Sequence, residues 1–113
     1  MELEISQTDD NVNRVRLIGR MDSPGVDQIE LRFTAGVVAS GRQAVIDLTG
    51  VSFLASMGIR MLITGAKALQ NKGAGMALFG ATPDVQNVLD TVSLDQIIPV
   101  AETEAGALER LKG

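Results

Sequence analysis

The sequence predicts an α/β fold, with a mixed sheet that opens on an N-terminal β-hairpin and continues through helical crossovers. Three observations carry this expectation. Apolar and charged residues alternate with period two at the N-terminus. Two later runs, Ala44-Val45-Ile46-Asp47-Leu48 and Met76-Ala77-Leu78-Phe79, are nearly continuously apolar, the pattern of strands covered on both faces. The segments between them repeat their apolar residues at helical spacing.

Leu3 and Ile5 alternate with Glu2 and Glu4, which predicts an edge strand. Asp9-Asp10-Asn11 is turn chemistry. Val12, Val15 and Leu17-Ile18 then predict a second strand paired to the first, with Arg14 and Arg16 toward solvent. Asp22-Ser23-Pro24-Gly25 places capping residues just ahead of a proline. Val26, Ile29, Phe33 and Val37 predict a helix from about Pro24 to Ser40, stopped by Gly41. After the strand at Ala44–Leu48, Thr49–Leu54 reads as a short connection. Ile59, Leu62, Ile63, Ala66 and Leu69 mark an amphipathic helix that Asn71-Lys72-Gly73 ends. Thr82-Pro83-Asp84 caps a helix carrying Val85, Val88 and Leu89. Ile97-Ile98-Pro99-Val100 reads as a short strand, confined to an edge by its proline. Ala105, Leu108 and Leu111 predict a final helix over 102–111. The order is ββαβαβα(β)α, and right-handed crossovers place helices over the sheet.

Composition narrows the function. The 113 residues are read as one domain, 1–113, long enough to bury a core without staples. With no cysteine and no histidine, disulfides, zinc-thiolate sites and histidine-based triads lose their members. The net charge of −4 and the three phenylalanines, Phe33, Phe53 and Phe79, disfavour direct nucleic-acid binding, because phosphates call for cations and bases for stacking surfaces. The ten basic and fourteen acidic residues read as scattered along the chain. No apolar run approaches the roughly 20 residues of a membrane span, and Met1–Ile5 lacks the pattern of a signal peptide. A cytoplasmic, non-enzymatic binding module without a cofactor is the expectation.

Gly73-Ala74-Gly75, with Gly80 beyond, ends a helix and precedes a strand, the reverse of a dinucleotide-binding loop, so it reads as a cap and turn. Asp9-Asp10 and Asp84 with Asp90 read as solvated carboxylates and not as a metal site. Ser56 differs by position, because a strand and a turn deliver it to a helix start. One reading makes it the N-cap, its hydroxyl accepting a backbone N–H. The other makes it a phosphorylation site, with the phosphate favoured by free helix N–H groups and placing nearly two negative charges on an exposed loop.

The run Val45-Ile46-Asp47-Leu48-Thr49-Gly50-Val51-Ser52-Phe53-Leu54-Ala55-Ser56-Met57-Gly58 resembles the central segment of STAS domains, where a buried strand leads into V-x-F-[IL]-D-S-[ST]-G and a helix. Leu17-Ile18-Gly19-Arg20-Met21-Asp22 is similar to the family's L-x-G-x-[LM]-D. Val88-Leu89 and Leu94-Asp95-Gln96-Ile97-Ile98-Pro99 resemble its tail. The resemblance implies a STAS fold, a mixed four- to five-stranded sheet flanked by about four helices. It is to the stand-alone anti-sigma factor antagonists, which bind an anti-sigma factor that is also a serine kinase and thereby release the sigma factor. Phosphorylation of a serine ends that complex and a phosphatase restores it. The resemblance carries that serine onto Ser56, and the partner-binding surface onto Asp22, Ser23, Ala55, Ser56, Met57, Gly58 and Arg60. It leaves the oligomeric state, a homodimer included, open.

Two positions depart from the family pattern. Ala55 stands where the motif aspartate would be, removing a charge and an acceptor beside Ser56, and Met57 replaces a Ser or Thr. The alternative they favour is a non-phosphorylated STAS scaffold or transport-system subunit that binds a protein partner constitutively, through an exposed methionine. A nucleotide-binding enzyme is the third and weakest reading, since the chain offers no phosphate loop and no clear base.

Overall fold

The structure, a computed structural model, describes residues 1–8 and 10–112. Asp9, the first residue of the expected Asp9-Asp10-Asn11 turn, lies outside them. One mixed sheet of five strands runs in the order β1-β2-β3-β4-β5: β1 Glu2–Gln7, β2 Asn13–Met21, β3 Ala44–Leu54, β4 Met76–Phe79 and β5 Val100–Ala101. The β1–β2 hairpin is antiparallel, pairing Leu3 with Leu17 and Ile5 with Val15, and the remaining pairings are parallel. Helices α1 (Ser23–Phe33), α2 (Ser56–Asn71), α3 (Pro83–Thr91) and α4 (Glu104–Lys112) complete the fold.

Alternation along the strands sorts the core into two layers. Ala44, Ile46, Met76 and Leu78 point to one face, where Val26, Ile29 and Phe33 of α1, Leu62 and Leu69 of α2, and Val85 and Leu89 of α3 pack. Val45, Ala77 and Phe79 point to the other face and meet Ala107 of α4. The near-continuous apolar runs of β3 and β4 therefore do serve two covered faces.

Three expectations need correction. Thr49–Leu54 is not a connection but the second half of an 11-residue strand. It pairs with Ile18–Met21 of β2 through two register shifts, which the sequence pattern hides because an irregular register breaks strict alternation. The expected strand at Ile97–Val100 shrinks to Val100–Ala101. Leu94–Gln96 forms a 3-10 turn instead, and Ile98 is buried ahead of the strand while Ile97 stays exposed. The first helix reaches Val38 only by widening into a π-helical turn over Thr34–Val38, which brings Val37 into the core. Gly41 stops the chain beyond it at φ +68°.

One buried polar residue went unnoticed in the sequence. Asn13 opens β2 and is 3% exposed; its Nδ2 donates to Ser40 Oγ at 3.0 Å and its N–H to the Gln43 carbonyl at 2.8 Å. It pins the start of the strand to the segment that follows the π turn.

Candidate functional site: two helix starts side by side

Parallel pairing of β2 and β3 sets Met21 opposite Leu54, so both strands end at the same level and both turn into helices there. The Ala55 N–H donates to the Met21 carbonyl at 3.0 Å, continuing the ladder for one more residue. The starts of α1 and α2 are thereby neighbours. Two glycines permit the contact. A Cβ on Gly58 would lie 2.9 Å from Met21 Cβ and 3.1 Å from its carbonyl oxygen, and one on Gly25 would lie 1.9 Å from the Arg20 carbonyl oxygen.

Asp22 is the N-cap of α1. Its backbone is extended and its Oδ1 accepts from the Gly25 N–H at 2.9 Å, while Oδ2 accepts from Arg20 Nε at 3.2 Å. The Gly25 N–H, and after it the Arg20 guanidinium, hold the Asp22 carboxyl below its ordinary range, since both stabilise the ionised form. Arg20 also stacks over Phe53, its guanidinium carbon 4.3 Å from the ring centroid. This three-residue platform was not visible in the sequence, because it depends on Arg20 and Phe53 being paired across strands. A recess of about 280 Å³ opens beside it, lined by Ser52, Phe53, Leu54, Asp84, Val85 and Val88.

Ser56 is exposed, but it is not the N-cap. Ala55 takes that position in extended conformation, its carbonyl accepting from the Gly58 and Ile59 N–H groups, and no side chain among the described residues caps the helix. Ser56 is the first helical residue, and among the described residues its hydroxyl has no hydrogen-bond partner. Ser23 is exposed at the start of α1. Met57 is not the exposed apolar contact that the alternative reading supposed; it is half-buried against the core cluster. Gly58 is buried on Met21, and Arg60 is exposed one turn along from Ser56. The fold thus gathers Asp22, Ser23 and the 55–60 turn at one end of the sheet. Ser23, Ser56 and Arg60 are the members that reach solvent freely.

The family pattern of STAS domains matches residues 4–107. The chain belongs to the STAS domain family. Over 101 residues this STAS domain is 29% identical to an anti-sigma F factor antagonist of Paenibacillus polymyxa, covering 87% of this chain and 85% of that one. An anti-sigma factor antagonist from Mycobacterium paratuberculosis superposes with TM-score 0.88 at 25% identity, over 99% of this chain and 94% of that one. SpoIIAA in its unphosphorylated form superposes with TM-score 0.77 at 21% identity, over 99% and 97% of the two chains, and shares the fold. The five-stranded mixed sheet, four helices and N-terminal hairpin of this STAS domain are those of its structural neighbours. STAS antagonists are binding proteins and not enzymes. No helix among the described residues is long and apolar enough to cross a membrane.

Proposed function

We propose that this STAS domain is a cytoplasmic anti-sigma factor antagonist, folded as one domain over 1–113. Unphosphorylated, it binds an anti-sigma factor serine kinase through Asp22, Ser23, Ala55, Ser56, Met57, Gly58 and Arg60. The kinase phosphorylates Ser56 and ends the complex, and a phosphatase restores it. The observation that carries this reading is the exposed Ser56 hydroxyl, without a partner among the described residues, at the junction where two helix starts meet. A relative named for antagonism of an anti-sigma factor supports it, and a neighbour of the same fold, SpoIIAA, exists in unphosphorylated and phosphorylated forms. Phosphorylation acts electrostatically here, since a phosphate carries about −1.5 to −2 charges at neutral pH and replaces a neutral hydroxyl.

The test is incubation with the cognate kinase and ATP, followed by mass spectrometry for one added phosphate at Ser56. Ser56→Ala keeps partner affinity, whereas Ser56→Asp lowers it by about tenfold or more through like-charge repulsion and lost contact. Equal affinity of both variants removes the switch. Ala55, in place of the family's acid, then favours the second reading: a STAS scaffold or transport-system subunit bound constitutively to its partner. Co-purification with a membrane transporter instead of a kinase identifies that case.

A further inference from the structure

Arg60 is unpaired among the described residues. It is exposed on α2, and no acidic residue occurs between Asp47 and Asp84. It stands four residues after Ser56 on the same helix, about 6 Å along the axis, the spacing at which side chains are neighbours. Helical side chains lean toward the N-terminus, so the long Arg60 stem is directed back over the first turn, where Ser56 sits. An anion N-terminal to a cation at this spacing is the favourable order.

The other charged groups around this turn are committed or unsuited. Arg20 is held by Asp22 and by the Phe53 ring. Asp22 and Asp84 repel an anion, as does Glu30 of α1, which lines a recess with Met61 and Thr64 of α2. Lys67 is eleven residues from Ser56, about 16 Å up the helix, and Lys72 is farther still.

We infer that Arg60 is the built-in receptor for a phosphate on Ser56, closing a pair within α2 that exists only in the phosphorylated protein. The inference rests on Ser56 being the phosphorylated residue. It also says how phosphorylation works. In the unphosphorylated protein the guanidinium of Arg60 is offered outward, to an acidic group on the partner. After phosphorylation it turns onto the phosphate. The partner thus loses a cation to bind at the same moment as it meets an anion. A planar guanidinium suits the task, since it can donate two parallel hydrogen bonds to phosphate oxygens.

The experiment installs phosphoserine at position 56 of the full chain during synthesis and follows its 31P resonance as a function of pH. The second ionisation of the phosphate is expected about 0.2 to 0.4 pH unit lower than in the same chain carrying Arg60→Gln, because the pair favours the dianion. Arg60→Lys is expected to recover part of the difference, and Arg20→Gln to leave the midpoint where it is. An unchanged midpoint in Arg60→Gln overturns the inference, as does a midpoint that moves with Arg20→Gln instead. No kinase enters this measurement. Failure of a kinase to modify Ser56 therefore defeats the proposed function, while an unmoved 31P midpoint defeats only the role of Arg60.

Discussion

Gly25 and Asp22 show how much of the site depends on single atoms. A methyl group on Gly25 meets the Arg20 carbonyl oxygen at 1.9 Å, and that oxygen belongs to backbone, which cannot swing aside as a side chain does. Gly25→Ala must therefore separate the first turn of α1 from β2, and we expect a loss of roughly 1–3 kcal/mol or more in urea unfolding. Partner binding should fall with it, because the start of α1 moves away from that of α2. Asp22 has a pH consequence. Its carboxyl is held below the ordinary range by the Gly25 N–H and by Arg20, so ionisation is more favourable in the folded chain than in the unfolded one. The stability it contributes is complete above the ordinary aspartate range and is lost as the pH falls from there through the lowered folded value. Asp22→Asn should flatten this part of the acid limb when unfolding is followed by circular dichroism from neutral pH downward. An acid limb of unchanged slope would show that other carboxylates set it.

At the scale of elements, the contact of α1 with α2 is built on Phe33 and Gly65. Phe33 is 1% exposed, and a Cβ on Gly65 would lie 2.8 Å from its Cε2. The Cε2–Cζ edge of the ring fills the space where the helix has no side chain. Phe33→Ala leaves a cavity there and should cost about 3–5 kcal/mol, read as a lowered urea midpoint. Gly65→Ala should overpack the same spot, costing about 1–3 kcal/mol. Both residues were legible in the sequence as members of helices, yet only Phe33 announced itself as core. Gly65 did not, because the reason for a glycine there lies on the neighbouring helix. The extension of β3 to Leu54 was hidden for a related reason. Ser52 and Phe53 are exposed side by side while Val51 and Leu54 are buried, a pattern produced by the shifted register with β2 and not by period-two alternation.

Across the whole molecule the charges are sorted and not scattered, contrary to the expectation from composition. Residues 48–83 contain Arg60, Lys67 and Lys72 and no acid. Residues 85–109 contain Asp90, Asp95, Glu102, Glu104 and Glu109 and no base. Three of these carboxylates, Asp90, Asp95 and Glu102, line an open cleft of about 620 Å³ near the ends of β4 and β5. One acid of this group is neutralised at long range. Arg14 Nη2 donates to Glu104 Oε2 at 2.8 Å, with Nε donating to Oε1, and the two-pronged pair ties β2 to the start of α4 across 90 positions of chain. The Arg14 side-chain hydrogen bonds hold the Glu104 carboxyl below its ordinary range, against a smaller opposing effect of desolvation. Its contribution is therefore present above the ordinary glutamate range and fades as the pH falls through it. Glu104→Gln should cost about 0.5–1 kcal/mol at neutral pH and almost nothing in acid, measured by thermal unfolding at both.

The sequence by itself determined the order of elements, the open and covered faces of β2, the two covered faces of the first half of β3 and of β4, and the presence of Ser56 near a helix start. These follow from local patterning, since periodicity and capping chemistry act between residues a few positions apart. It also carried the family resemblance, which is written in short motifs. Only the tertiary structure decided that Ser56 is the first helical residue and not the cap, that Met57 packs inward, and that Arg20, Asp22 and Phe53 form one platform. Each depends on how β2 and β3 end level with one another, and that register is set by contacts between residues some thirty positions apart. Arg60 belongs to both accounts. Its spacing from Ser56 is in the sequence, and that it makes no ion pair among the described residues is a property of the fold.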